Sequence, residues 1–215
     1  VIPTAGLFTS ETGVTETFTI RLNSQPATNV TIGLNSNNIA EGTVTPSTII
    51  FSSLNWNTPQ TVTVTGVNDF IDDGDIAYSI ITNPAASTDP MYNNLDAQNV
   101  SLTNQDDDLA GISVNPFNLT INEEGSAKTF TVVLNSEPTQ NVTIGINSDN
   151  TDKGTALPAS LTFTSLNWNV AQAITVTPVD NFIDDGDLAF AIITEPASSL
   201  DDNYKNRNAT DVTVT

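Results

Sequence analysis

The sequence predicts an all-β protein made of two tandem copies of one domain, each a two-layered sandwich of seven short strands. Three observations lead there. The chain repeats itself at a fixed offset, its apolar residues alternate with polar ones over short segments, and no long stretch keeps a helical period.

The repeat comes first because it sets the domain count. Laying Glu11 on Glu123 gives an offset of 112 residues, which holds without a gap to Thr103 on Thr215, with about half of the positions identical. FTIRLNSQPATNVTIGLNS answers FTVVLNSEPTQNVTIGINS, and SLNWN and FIDDGD stand in both copies. A unit of this length is a whole domain, since solenoid repeats run to about 20 to 50 residues. Copy one is therefore 1–108 and copy two 109–215. Thr103 is followed by NQDDDLAGIS, which has no counterpart after Thr215. The expectation is that copy two lacks an acidic tail and that the chain is a piece of a longer array.

Within copy one, Phe18, Ile20 and Leu22 alternate with Thr17, Thr19 and Arg21, the period of a strand with one buried face. The same reading places strands near residues 1–9 (A), 16–22 (B), 30–35 (C), 48–52 (D), 60–67 (E), 76–82 (F) and 99–104 (G). Seven strands in about 105 residues suggest the immunoglobulin-like sandwich, two of them end to end. Thr, Val, Ile and Asn dominate the segments, and Pro26, Pro46, Pro59 and Pro84 interrupt any helix.

Composition narrows the function. The chain has 5 basic against 25 acidic residues, a formal charge of -20, so it offers no surface that could neutralise phosphates. Nucleic acid and anionic lipid are poor partners, and cations are natural ones. Cys and His are both absent, which removes thiolate nucleophiles, the commonest general base and the commonest transition-metal ligands. Paired carboxylates as in glycosidases would need a substrate cleft around them. The chain is read as a non-enzyme. No apolar run reaches the roughly 18 to 20 residues that span a bilayer, so no membrane insertion is expected in this fragment and any export signal is expected outside it. The lack of Cys leans towards a bacterial exported protein.

The acids are not scattered. If successive strands run antiparallel, the A-B, C-D and E-F loops share one pole with the end of strand G. In copy one that pole holds Glu11, Glu41, Asp69, Asp72, Asp73, Asp75, Asp106, Asp107 and Asp108, nine of twelve carboxylates. Calcium takes six to eight oxygen ligands and tolerates irregular geometry, which loops rich in Asp, Asn and Gly supply. The other reading is a merely solubilising acidic surface, with Gly74 and Gly186 shaping turns. An EF-hand is excluded, because FIDDGD lies between strands and lacks the glutamate at loop position twelve.

Three motifs in order then resemble the Calx-β domains of sodium-calcium exchangers, integrin β4 and bacterial surface proteins. They are ETG at 11–13 and EEG at 123–125, TVTVTGVNDFIDDGD and ITVTPVDNFIDDGD, and NVSLTNQDDD. The resemblance covers most of each copy. It implies Ca2+ held in copy one by Glu11, Asp69, Asp73, Asp106, Asp107 and Asp108, with Asp72 and Asp75 as neighbours. Asn68 and Ile76 stand where exchanger-type sites carry acids, which implies fewer or weaker ions. In copy two Glu123, Asp180 and Asp185 match, Asp187 answers Asp75, and Asn181 stands opposite Asp69.

Trp56 and Trp168, in the repeated SLNWN turn, are read as covers over each core, with sugar stacking as the other reading. Tyr92 and Tyr204 are read as anchors of the long F-G loops. The expected role is a calcium-binding spacer or adhesive repeat of a large extracellular bacterial protein, at the cell surface or secreted, with calcium rigidifying the joint between neighbouring repeats. The alternatives are a module whose F-G or B-C loops bind carbohydrate or a surface protein, and a subunit of an extracellular filament.

Overall fold

A computed structural model describes residues 1–180 and 186–215. Among these residues there is no helix; eighteen strand segments form four sheets. The chain divides into two compact units, Val1–Asp69 with Asp73–Asp107, and Phe70–Asp72 with Asp108–Thr215.

The first unit contains β1 (Leu7–Ser10), β2 (Thr15–Ile20), β3 (Val30–Ser36), β4 (Gly42–Thr45), β5 (Thr48–Phe51), β6 (Gln60–Gly66), β7 (Ile76–Thr82), β8 (Ala86–Ser87) and β9 (Val100–Gln105). One sheet runs β2-β6-β4 and the other β1-β9-β7-β3-β5, with β8 on β3. Alternation explains the core between them. Phe18 and Ile20 of β2 and Val62 and Val64 of β6 are buried with Val30, Ile32, Leu34, Ile80, Val100 and Leu102 of the other sheet.

The second unit repeats this with β10 (Ile112–Asn115), β11 (Asn118–Leu119), β12 (Lys128–Leu134), β13 (Val142–Ser148), β14 (Gly154–Leu157), β15 (Ser160–Phe163), β16 (Gln172–Pro178), β17 (Phe190–Thr194) and β18 (Val212–Val214). Its sheets run β10-β12-β16-β14 and β11-β18-β17-β13-β15 around the cluster of Phe130, Val132, Ile144, Phe163, Ile174, Ile192 and Val214.

The expected count of seven strands per copy is too low, because each copy holds nine segments. Strand A is not continuous. Gly6, at φ +77, breaks it, so Ile2 bridges to Thr19 of one sheet while β1 joins the other. β4 escapes the apolar pattern, because only Gly42 of its four residues is buried.

The F-G loops carry buried anchors. Asp89 accepts hydrogen bonds from the backbone N–H of Ala27 (2.7 Å) and Met91 (3.0 Å), and the Tyr92 hydroxyl donates to the Ser24 carbonyl at 2.6 Å. Asp201 takes the N–H of Thr139 (2.7 Å) and Asn203 (2.9 Å), and Tyr204 donates to Ser136 O at 2.7 Å. The tyrosines are loop anchors, as their position suggested. Trp56 and Trp168 are half-buried against the two cores.

Asp89→Ala removes a charged acceptor from two backbone amides, and losses of that kind cost about 1.5 to 3 kcal/mol. Urea unfolding is expected to show a destabilisation of that order, with Tyr92→Phe costing about 1 kcal/mol.

Candidate metal centre

Parallel pairing builds the site. β1 lies alongside β9 in parallel, with Ser10 opposite Gln105, so both strands finish at the same end and Glu11 emerges beside Asp106. The Glu11 N–H donates to the Gln105 carbonyl at 3.0 Å. Glu41 arrives from the β3-β4 turn, where its carbonyl accepts from Val67 N–H at 3.1 Å and so lies beside the β6-β7 connection.

Two groups of carboxylates result. Glu11, Asp106 and Asp108 form one, and Glu41, Asp69 and Asp73 the other; in each, one oxygen per residue lies within 4.8 Å of the others. Glu11 is 6% exposed and Glu41 5%, values that matter because a buried carboxylate needs its charge met.

The surroundings are polar and fitted. The buried Asn104 amide donates to Glu41 Oε2 at 3.3 Å and to the Val67 carbonyl at 3.0 Å, while Thr9 Oγ1 donates to Asn104 Oδ1 at 3.0 Å. Thr9 Oγ1 also lies 2.9 Å from the Tyr78 hydroxyl. Burial pushes that hydroxyl above its ordinary pKa; the Thr9 bond opposes the shift and the Glu41 charge adds to it. A Cβ at Gly66 would overlap the Ser10 carbonyl and Asn104 Oδ1, so only glycine lets β6 approach here. The FIDDGD turn is tied to the end of β9: Gly74 N–H, at φ +76, donates to Asp106 Oδ2 at 2.7 Å, and Asp106 N–H donates to Asp75 Oδ1 at 3.2 Å.

Five of the expected ligands of copy one, Glu11, Asp69, Asp73, Asp106 and Asp108, fall in the two groups. Asp75 is exposed and holds the Asp106 amide, Asp72 accepts from Ala110 N–H at 2.8 Å, and Asp107 is exposed and belongs to neither group. In copy two Glu123 lies 3.0 Å from the Lys153 ammonium. Asp180 and Asp187 are exposed, and Asp185 lies outside the described residues. Among the described residues no comparable group forms in the second unit.

Sequence reading placed Glu41 on the acidic pole without assigning it to a metal, and it missed Asn104. Neither belongs to a motif. Glu41 could have been found from GTVT after it, had β4 been seen as a strand that turns that glutamate inward.

All six grouped ligands are carboxylate oxygens, hard donors that suit calcium rather than zinc or copper. Each group offers three carboxylates from separate segments, an irregular set of the kind that calcium tolerates more readily than magnesium.

No protein-family model matches the chain, and no curated protein matches it. Among solved structures, CBD12 from CALX1.2 aligns at 12% identity over 99% of this chain and 96% of that chain, with a TM-score of 0.47. The calcium binding domain CBD12 of CALX1.1 aligns at 13% identity over 99% and 97%, with a TM-score of 0.45. The E. coli chaperone DraB aligns at 10% identity over 96% and 93%, with a TM-score of 0.35.

The Asp106 carboxylate is the acceptor that holds the FIDDGD turn, so Asp106→Ala in EDTA is expected to speed amide hydrogen exchange at Gly74 several-fold. NMR exchange measurements against the Ser79 amide, bonded to Asn37 instead, provide the internal reference.

Proposed function

We propose that the chain is a non-catalytic, calcium-binding β repeat that serves as a spacer or adhesive unit of a large extracellular bacterial protein. The observation that carries the calcium part is the pair of carboxylate groups, Glu11 with Asp106 and Asp108 and Glu41 with Asp69 and Asp73. Residues 1–108 contain a single basic side chain, Arg21, one residue beyond β2 and at the end of that strand away from Glu11. A mobile cation is therefore the natural counter-charge for these acids. Glu11 with Asp106 and Asp108, and Glu41 with Asp69 and Asp73, would hold such ions, which would supply charge neutralisation and cross-linking of the segments that bear them. The motif resemblance to Calx-β domains supports the same assignment.

The spacer role rests on chain order. Residues 106–111 connect β9 to β10 and contain two of the grouped aspartates, Asp106 and Asp108. A cation held there restrains the connector, whereas without it Asp106, Asp107 and Asp108 repel one another and Gly111 leaves the backbone free to turn. The alternative of a loop-based binding module rests on a cavity of about 400 Å³ in the first unit, lined by Arg21, Asn23, Met91, Tyr92 and Leu95. Binding on a glycan array that survives EDTA would favour that module.

Calcium bound only by the folded state adds about 2.7 kcal/mol at a hundredfold excess over Kd, a rise in the first unit's thermal midpoint on the order of 10 °C. Calorimetry in EDTA and in millimolar calcium checks this. An unchanged midpoint with no metal by elemental analysis would replace the calcium reading with a solvated acidic surface. Glu41→Gln and Asp106→Asn are each expected to weaken calcium binding at least about tenfold, as losing one charged ligand does, while Asp89→Ala leaves affinity intact despite its stability cost. Small-angle scattering is expected to give a longer, better-defined maximum dimension in calcium than in EDTA; identical profiles would remove the stiffening role and leave calcium binding standing.

A further inference from the structure

Among the charge differences between the two copies at the acidic end, one reverses sign. At the 112-residue offset Glu123 stands for Glu11, and Lys153 stands for Glu41. The backbone frame is the same at both places. Val67 N–H donates to the Glu41 carbonyl at 3.1 Å, and Val179 N–H to the Lys153 carbonyl at 3.0 Å; Gly42 and Gly154 follow, each packed against an aromatic ring, of Tyr78 and of Phe190. Only the side-chain charge is reversed. The Lys153 ammonium donates to Glu123 Oε1 at 3.0 Å, with the lysine side chain 11% exposed and the glutamate 36%.

We propose that Lys153 is the built-in counterion of the second unit, filling with a tethered ammonium the place that a divalent cation takes in the first. This rests on the calcium reading of the first unit and adds a division of labour. The ammonium meets the Glu123 charge at every calcium concentration and repels a divalent ion from the same spot. The second unit then has a stability independent of calcium, and the calcium response of the chain belongs to the first. Lysine suits the role because its compact ammonium sits on a flexible stem whose methylenes can be buried while the charge reaches a partner.

Reciprocal variants of the full chain test the assignment, with unfolding of each unit followed by the indole signals of Trp56 and Trp168 in NMR melts. In EDTA, Lys153→Gln is expected to lower the midpoint at Trp168 by a few degrees, and Lys153→Arg to restore most of it. In the first unit, Glu41→Lys is expected to raise the EDTA midpoint at Trp56 and to weaken the calcium response there at least about tenfold. An unchanged EDTA midpoint at Trp168 in Lys153→Gln overturns the proposal, as does a Trp168 midpoint in the wild-type chain that calcium raises as much as that of Trp56. The arms keep the two readings apart. A wild-type chain that ignores calcium at both indoles while Lys153→Gln still lowers the Trp168 midpoint removes the calcium reading and, with it, the ammonium's part as a substitute for metal.

Discussion

A carboxylate taken out of water must have its charge met, or the fold loses several kcal/mol at that point. Glu11 and Glu41 are buried, and Asp106 and Asp108 group with the first and Asp69 and Asp73 with the second. The rest of the acidic end is arranged around this constraint. The Asn104 amide faces Glu41, Thr9 steadies Asn104, and Gly66 keeps its side-chain space empty so that the Ser10 carbonyl and Asn104 can pass.

The second unit holds an ion pair at the matching place, Lys153 with the partly exposed Glu123. Its acidic end keeps the glycine and the aromatic neighbour, while Lys153 stands for Glu41 and Asn181 for Asp69. Copies that agree at about half of their positions can thus share a fold and differ in what they ask of the solvent. An array that alternates such units would be only partly responsive to calcium, with fixed segments between adjustable ones.

Much of this was legible in the sequence. The 112-residue offset and the alternation around Phe18, Ile20 and Leu22 gave the all-β class, the repeat and most strand positions, because burial of one sheet face writes a period of two into the chain. The gathering of Glu11, Asp69, Asp73 and Asp106 followed from strand parity alone. Other features left no such trace. Gly6 divides strand A by a backbone conformation, and β4 exposes most of its residues, so neither shows in the apolar pattern. Asp89 and Asp201 leave no mark in the apolar pattern, although their carboxylates hold backbone amides in the interior. Lys153 was passed over because an isolated lysine signals nothing until its equivalence with Glu41 is matched to its distance from Glu123.

The parallel pairing of β1 with β9, and of β11 with β18, has a mechanical meaning as well. In each unit an early strand segment, β1 or β11, lies beside the last strand and points the same way. Tension applied through the two ends of a unit therefore pulls these strands past each other lengthwise, loading their hydrogen bonds together in shear rather than opening them one at a time like a zip. In the first unit, four residue pairs share that load, from Leu7 with Leu102 to Ser10 with Gln105, and the Glu11 and Asp106 carboxylates lie just beyond the last of them. An ion gripped by both acids would act as a rivet across the seam that bears the strain.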